Sequence, residues 1–290
     1  MKINKYPDGS SYAILERLDA NKFNFKINSY EDLWHLNQYV DVYNHNGYKP
    51  TVVIPNLIDA QADRRFNKNE SSGLKLVCKF LNNINANFKI FHPHNPEVVE
   101  ALMDNVEIID NKQFIQTVIF DKISSIKFPK SITNKEYLNW INHNLILMSS
   151  DAGGFKPLIK LCNEKLHWKG QTYSAVKSRN PLDGKLEQYI HRDDFEGKDI
   201  LIINDICVYG GTFKGLSKLL KERNCGKLYL AVSHMTIQNL GEDPVTNYFD
   251  KVFTTNSKYD EYYTEKGESV DGRSYHVKKY PKNLEIIKLF

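Results

Sequence analysis

Short apolar runs alternate with longer amphipathic stretches along most of this 290-residue chain, and that rhythm most restricts what it can fold into. Runs of four or five largely apolar residues at 50–54, 88–91, 145–148 and 199–203 are too short for buried helices and suit strands covered on both faces. The stretch 29–46 instead repeats Leu33, Leu36 and Val40 at helical spacing, with Ser29 placed to cap its start. Strand–helix alternation of this kind predicts an α/β fold with mainly parallel sheets.

Strands are expected at 23–27, 50–54, 88–91, 106–109 and 114–120, then at 145–148, 172–176, 199–203, 228–233 and 251–255. Helices are expected at 29–46, 72–83, 96–103, from 154 through 162, and at 213–223. The rhythm restarts after the polar segment 122–135, so two similar α/β domains are expected, 1–130 and 131–290.

Charge and cysteine content narrow the partners. The formal net charge is only +4 and no basic stripe stands out, which argues against nucleic acid. No window approaches about 20 apolar residues, so no membrane span is expected. The start leads into a polar Pro7-Asp8-Gly9 turn rather than an apolar signal core, and the four cysteines show no CxxC spacing. A soluble, cytoplasmic protein is expected. Arginine is scarce, seven residues among 39 cations, as an AT-rich bacterial or phage genome would produce. Where arginine is kept, its planar fork is what lysine cannot replace.

The chemistry-bearing residues cluster just past expected strand ends, where open α/β sheets place ligands. After 199–203 come Asn204, Asp205, Val208, Tyr209, Gly210, Gly211 and Thr212. Glycines let the backbone turn and present N–H groups, a helix N-terminus favours an anion, and Asp205 is placed to accept from sugar hydroxyls. A plain turn with Thr212 as N-cap is the alternative. After 145–148, Asp151 precedes Gly153-Gly154; it could hold a divalent cation or form an Asx-turn. After 88–91, His94 could ligate a metal or cap the next helix. In 55–66, Asp63 precedes Arg64-Arg65, paired cations suited to a polyphosphate or a solvated charged loop. Between strands, the polar stretch 177–188 carries Lys177 and Arg179, alternate residues that would face one side. Such a loop is either a connection or a lid that brings cations to a transition state.

Taken together, in this order, the segments resemble the ribose-phosphate diphosphokinases, also called phosphoribosyl-pyrophosphate (PRPP) synthetases. Tyr6-Pro7-Asp8-Gly9-Ser10 resembles the family's adenine hairpin, and Val53-Ile54-Pro55 through Arg65 its "IPY…ARQDRR" segment. His94 falls on the metal-associated histidine, Ser150–Gly154 on "PDAGG", Lys177-Ser178-Arg179 on the catalytic "KRR", and 204–212 on "DDxxDTGGT".

The resemblance implies two phosphoribosyltransferase-like, Rossmann-like domains and a Mg²⁺-dependent transfer in which an anomeric ribose hydroxyl attacks the β-phosphorus of ATP and AMP leaves. It implies that Lys177 and Arg179 stabilise the transferring group and that His94 and Asp151 organise Mg²⁺. Tyr6, Asp8, Ser10, Gln61, Asp63 and Arg64 would hold ATP, in an adenine site shared between subunits of a homo-oligomer, at least a dimer. Asn204, Asp205, Val208, Tyr209, Gly210, Gly211 and Thr212 would hold the ribose and its 5′ phosphate.

The departures point to the acceptor. About one βα unit is missing before the hairpin, the hairpin Glu is Ser10, the usual Arg-Gln is Gln61-Ala62, the first loop Asp is Asn204, and Asp-Thr before Gly-Gly is Val208-Tyr209. Losing a hydroxyl and gaining an aromatic ring disturbs a compact monophosphate pocket and suits something larger at the 5′ position. The expected acceptor is therefore a 5′-extended ribose such as ADP-ribose, giving ADP-ribose 1-diphosphate, a precursor for rebuilding NAD⁺. Ribose 5-phosphate, giving PRPP, is the alternative. A PRPP-consuming phosphoribosyltransferase would need no adenine hairpin, and a non-catalytic subunit would have no use for Lys177 and Arg179.

Overall fold

A computed structural model describes residues 2–16, 18, 21–128, 132–179, 186–264, 267–268, 274–275 and 280–290. The chain divides into two compact units, Met1–Asn111 with Phe290, and Lys112–Leu289.

In the first unit, β1 (Lys2–Lys5) and β2 (Ser11–Ile14) form an antiparallel hairpin. A parallel four-stranded sheet follows in the order β3 (Lys22–Asn24), β4 (Thr51–Ile54), β5 (Asn87–Phe91), β6 (Val106–Ile109). Helices α1 (Tyr30–His45), α2 (Gly73–Asn82) and α3 (Pro96–Leu102) connect the strands. Ser29 caps α1 as expected, in a reciprocal capping box with Asp32. The core joins Val52, Ile54, Phe88 and Ile90 of the sheet to Leu36 and Val40 of α1 and to Leu74, Val77 and Leu81 of α2.

The second unit opens with a continuous helical run: α4 (Lys112–Gln116), a wider π-type stretch Thr117–Ile123, and α5 (Ser124–Lys127). This corrects the strand expected at 114–120. Val118 and Ile119 are β-branched neighbours that read as a strand, yet Phe114, Ile115, Val118, Ile119 and Ile123 are all fully buried at helical spacing. They pack in the second unit's core, so the division falls at Asn111 rather than at 130.

Then come α6 (Asn134–Asn144), β7 (Leu145–Ser149), α7 (Phe155–Lys160) continuing through Leu161–Leu166, β8 (Thr172–Ser174), β9 (Val176–Arg179) and β10 (Leu186–Tyr189). After these lie β11 (Asp199–Cys207), α8 (Gly211–Glu222), β12 (Leu228–Met235), β13 (Lys251–Thr255), the short pair β14 (Gly267–Glu268) and β15 (Ser274–Tyr275), and β16 (Leu284–Ile287). Six strands form one parallel sheet in the order β16-β13-β12-β11-β7-β8.

Burial alternates along these strands. Leu145, Leu147, Leu201, Tyr229, Ala231 and Phe253 face one core with the 112–127 helix and α6. Ile146, Met148, Ile200, Ile202, Leu230 and Val252 face the other with Phe213, Leu216 and Leu220 of α8. Helices thus cover both faces of a parallel sheet, which is why its strands read as unbroken apolar runs. Winding proceeds from β7 outward to β8, then reverses to β11 on the other side of β7. The carboxyl ends of β7 and β11 are therefore the switch point at which such sheets bind ligands.

Candidate active site

The loop 149–154 leaves that switch point beside the last residues of β11, because Ser149 and Ile203 are register partners. Ser149 Oγ donates to the Asp151 carbonyl at 2.9 Å and fixes the first loop, and the Gly154 N–H donates to Asp151 Oδ1 at 3.1 Å. That is the Asx-turn alternative for one carboxylate oxygen; the other carries no hydrogen bond among the described residues. A side chain at Gly154 would reach 3.3 Å from Ser149 Cβ and 3.8 Å from Asn204 Oδ1, so the glycine lets this loop lie close to β11.

β11 runs beyond the expected end at 203. Asn204, Ile206 and Cys207 pair with Val232, His234 and Met235, and the Thr236 N–H donates to the Cys207 carbonyl at 3.0 Å. Ile206 and buried Cys207 extend the apolar strand past the polar Asn204-Asp205 pair, so the loop shrinks to Val208, Tyr209 and Gly210. Burial pushes the Cys207 thiol up to about 12. Gly210 takes φ +75°, and a Cβ there would stand 2.6 Å from Val245 Cβ. Only glycine satisfies both constraints.

α8 begins at Gly211 with Gly210 as its N-cap, so the Thr212 cap alternative does not occur. Gly211 faces open space, with nothing within 4 Å of an added Cβ. Val208 is 37% exposed and Tyr209 80%, a large ring held out beside the helix N-terminus. The amides of that first turn have no intrahelical acceptors and make an anion-receptive face.

β9 and β10 bring a cation to the same place. They pair antiparallel, with Lys177 opposite Gln188. Lys177 Nζ donates to Thr212 Oγ1 at 3.3 Å, and Gln188 Nε2 donates to the Thr212 carbonyl at 3.1 Å. Arg179 ends β9, and its side chain lies outside the described residues. Sequence reasoning missed Gln188, whose only signal was its place in a polar stretch rejoining a strand.

In the first unit, residues 6–10 turn the β1–β2 hairpin. The Tyr6 N–H donates to the Ser10 carbonyl at 2.8 Å, and Asp8 Oδ1 accepts from the Ser10 hydroxyl at 2.7 Å and N–H at 2.9 Å. Those two bonds hold the Asp8 carboxyl below its ordinary value. Tyr6, 54% exposed, packs its ring 4.8 Å from that of Tyr12.

A second group in this unit joins the ends of β4 and β5. Asn95 Nδ2 donates to Asp63 Oδ2 at 3.1 Å, and Arg64 Nε lies 3.4 Å from Asp63 Oδ1. Burial raises the Asp63 carboxyl, but the bonds from Asn95 and Arg64 and the charges of Arg64 and His94 outweigh it and hold the group low. His94 is exposed beside this pair, and it is Asn95 Oδ1, not His94, that caps α3. Gln61 is exposed. Tyr6, Asp8 and Ser10 bond with one another and not with Asp63 or Arg64 among the described residues.

Among the described residues, no three His, Cys, Asp or Glu side chains converge as a ready cation cage. Mg²⁺ does not require one, since it keeps waters and takes one or two carboxylates plus substrate phosphates. The second oxygen of Asp151 fits that role in the second unit. His94, a nitrogen donor, is the less suited ligand. Among the described residues no helix is long and apolar enough to cross a membrane.

No protein-family model matches the chain. The ribose-phosphate pyrophosphokinase of Pyrococcus furiosus is 23% identical over 261 residues, covering 89% of this chain and 85% of that one. Its counterpart from Chlorobaculum tepidum is 25% identical over 219 residues, covering 75% of this chain and 61% of that one. Among solved structures, phosphoribosylpyrophosphate synthetase from Mycobacterium smegmatis superposes with a TM-score of 0.69 over 99% of this chain and 85% of that one, at 15% identity.

Proposed function

We infer that this chain, a divergent member of the ribose-phosphate pyrophosphokinase family, is a diphosphokinase that moves the β,γ-diphosphoryl group of ATP to the anomeric hydroxyl of a ribose. The observation that carries this reading is the lysine aimed at an open helix N-terminus, Lys177 Nζ on Thr212 Oγ1, beside the uncrowded Gly211.

In the transfer, the anomeric oxygen bonds to the β-phosphorus, the bond from that phosphorus to the α,β-bridging oxygen breaks, and AMP leaves with the electron pair. The hydroxyl proton passes to solvent or to a nearby base. Such chemistry asks the protein mainly for positioning and for charge neutralisation. Lys177 and Arg179 supply cations to the moving group, and the α8 N-terminus and the 208–212 backbone hold acceptor phosphate. Asp205 and Asn204 orient ribose hydroxyls. In the first unit, the Tyr6 ring offers a face to adenine, Asp8 and Ser10 fix the turn that presents it, and Gln61, Asp63 and Arg64 stand for the ATP phosphates. Mg²⁺ when bound would neutralise phosphate charge; Asp151 is its candidate carboxylate in the second unit, and His94 is a separate candidate ligand in the first. A homo-oligomer is part of this reading, and a mass measurement in solution tests it.

The acceptor we propose is a 5′-extended ribose, ADP-ribose the simplest such metabolite, and its product would serve NAD⁺ rebuilding. Two features support it. The strand extension ties up backbone through Cys207 and leaves a three-residue loop, a reduced cradle for a terminal monophosphate. Tyr209 stands 80% exposed, free to stack against a distal group.

The test is AMP release from ATP and Mg²⁺ with ADP-ribose or ribose 5-phosphate. Release with neither acceptor overturns the diphosphokinase reading. Release with ribose 5-phosphate alone removes only the extended acceptor.

A further inference from the structure

Two side chains from opposite strands close on one residue of α8. Lys177 and Gln188 are direct cross-strand partners, and both donate to Thr212, Lys177 to its hydroxyl and Gln188 to its carbonyl. Gln188 reaches that carbonyl because α8 is notched beside it. A Cβ at Gly215 would lie 2.5 Å from Gln188 Oε1, which is inside contact distance. An interior helical glycine weakens a helix relative to alanine, so this helix carries a local cost where the glutamine enters. An ordinary side chain-to-backbone bond would explain Gln188 alone. It would not explain the notch, or why the residue opposite the cation holds the same threonine.

We propose that Gln188, seated in the Gly215 notch, is the positioning residue that aims Lys177 at the α8 N-terminus. The inference rests on the diphosphokinase reading for its kinetic consequence, though not for its geometry. Gln188 acts through Lys177, by holding the strand opposite it to α8. A cation fixed relative to the developing charge acts without reorganising, so losing its anchor lowers turnover more than binding.

The decisive variant is Gly215→Ala. It improves the helix while its methyl group, 2.5 Å from Gln188 Oε1, forces that amide to move, so the melting temperature is expected to stay level or rise while kcat for AMP release falls by up to about tenfold and KM changes little. A purely structural glutamine gives the opposite coupling, with activity following stability. Gln188→Ala should match it, and Gly215→Ala should cost nothing further in the Gln188→Ala background, where no side chain remains to expel. Gln188→Ala should likewise add nothing to Lys177→Ala. Full activity of Gln188→Ala, or losses that multiply when it is combined with Lys177→Ala, overturns the proposal.

Amide hydrogen exchange in 176–179 and 186–189 gives a readout independent of turnover, and Gly215→Ala should accelerate it. Unchanged exchange overturns the latch. Wild-type protein that releases no AMP but shows faster exchange in the variant keeps the latch and discards the diphosphokinase reading.

Discussion

Lys177 Nζ lies 3.3 Å from Thr212 Oγ1, which ties the first residues of β9 to the first turn of α8. An exposed lysine–hydroxyl bond contributes little to stability, on the order of 1 kcal/mol or less. Its placement matters for charge instead. Lys177→Ala should leave the melting temperature unchanged and lower kcat by about 10²–10³-fold, the usual cost of one preorganised charge-stabilising donor. Thr212→Val keeps the shape, removes the acceptor oxygen, and should cost less than about tenfold. Equal losses in the two variants would mean that the lysine acts only while the threonine hydroxyl holds it.

The adjacent glycines separate stability from binding. Gly210→Ala must adopt φ +75° and place its Cβ 2.6 Å from Val245, so a loss of about 1–3 kcal/mol is expected and thermal unfolding reads it. At Gly211 an added Cβ meets nothing within 4 Å. Gly211→Ala should therefore melt like wild type but raise KM for the phosphorylated acceptor, because its methyl group fills the ligand's side of the loop.

Much of this was legible because burial on both faces writes parallel strands as apolar runs: Thr51–Ile54, Val106–Ile109 and Lys251–Thr255 lie within a residue of expectation. The run 114–120 deceived because β-branched residues pack as readily in a fully buried helix as in a strand, and burial at Phe114, Val118 and Ile119 carries no period of two. The end of β11 was misplaced because Asn204 and Asp205 looked like a loop, while the pairing of Ile206 and Cys207 with β12 was invisible locally. Gln188 could not be singled out at all. Its meaning depends on a cross-strand register and on a glycine 27 residues away in sequence.

Asp63 gives a pH signature in the first unit. Its carboxyl is held below the ordinary 3.8 by Asn95 and by Arg64 and His94, so the folded state favours the ionised form. The stabilisation is fully present above the unfolded value near 3.8 and disappears as pH falls through the lower folded value. Melting temperatures of wild type and Asp63→Asn should differ at pH 5–6 and converge as pH drops below about 3.5. A gap that is constant across this range would show that the carboxylate's charge is not what Asn95 and Arg64 hold.

Three of the four cysteines should be inert in the folded protein. Burial pushes Cys78 and Cys162 up to about 11 and Cys207 up to about 12, so none forms appreciable thiolate at pH 8. A thiol reagent at pH 8 should leave these three unmodified until denaturant is added, as peptide mapping would show. Rapid labelling of Cys207 in native protein would mean that the end of β11 opens and that the loop beside it is longer than three residues.

Tyr209 tests the acceptor. Its ring is 80% exposed, so it makes little contribution to folding, and replacing it with Thr should leave the melting temperature unchanged. Base–aromatic stacking is worth about 1–3 kcal/mol per base. If the ring stacks on the adenine of ADP-ribose, Tyr209→Thr should lower kcat/KM for ADP-ribose by roughly five- to 150-fold. Ribose 5-phosphate has no group that far from the anomeric carbon, so its kcat/KM should hold or improve. The quantity to measure is therefore the ratio of the two specificity constants, which cancels any loss common to both, such as a small shift of the loop. A ratio unchanged by Tyr209→Thr would return the 5′ end to a plain phosphate held by the α8 N-terminus.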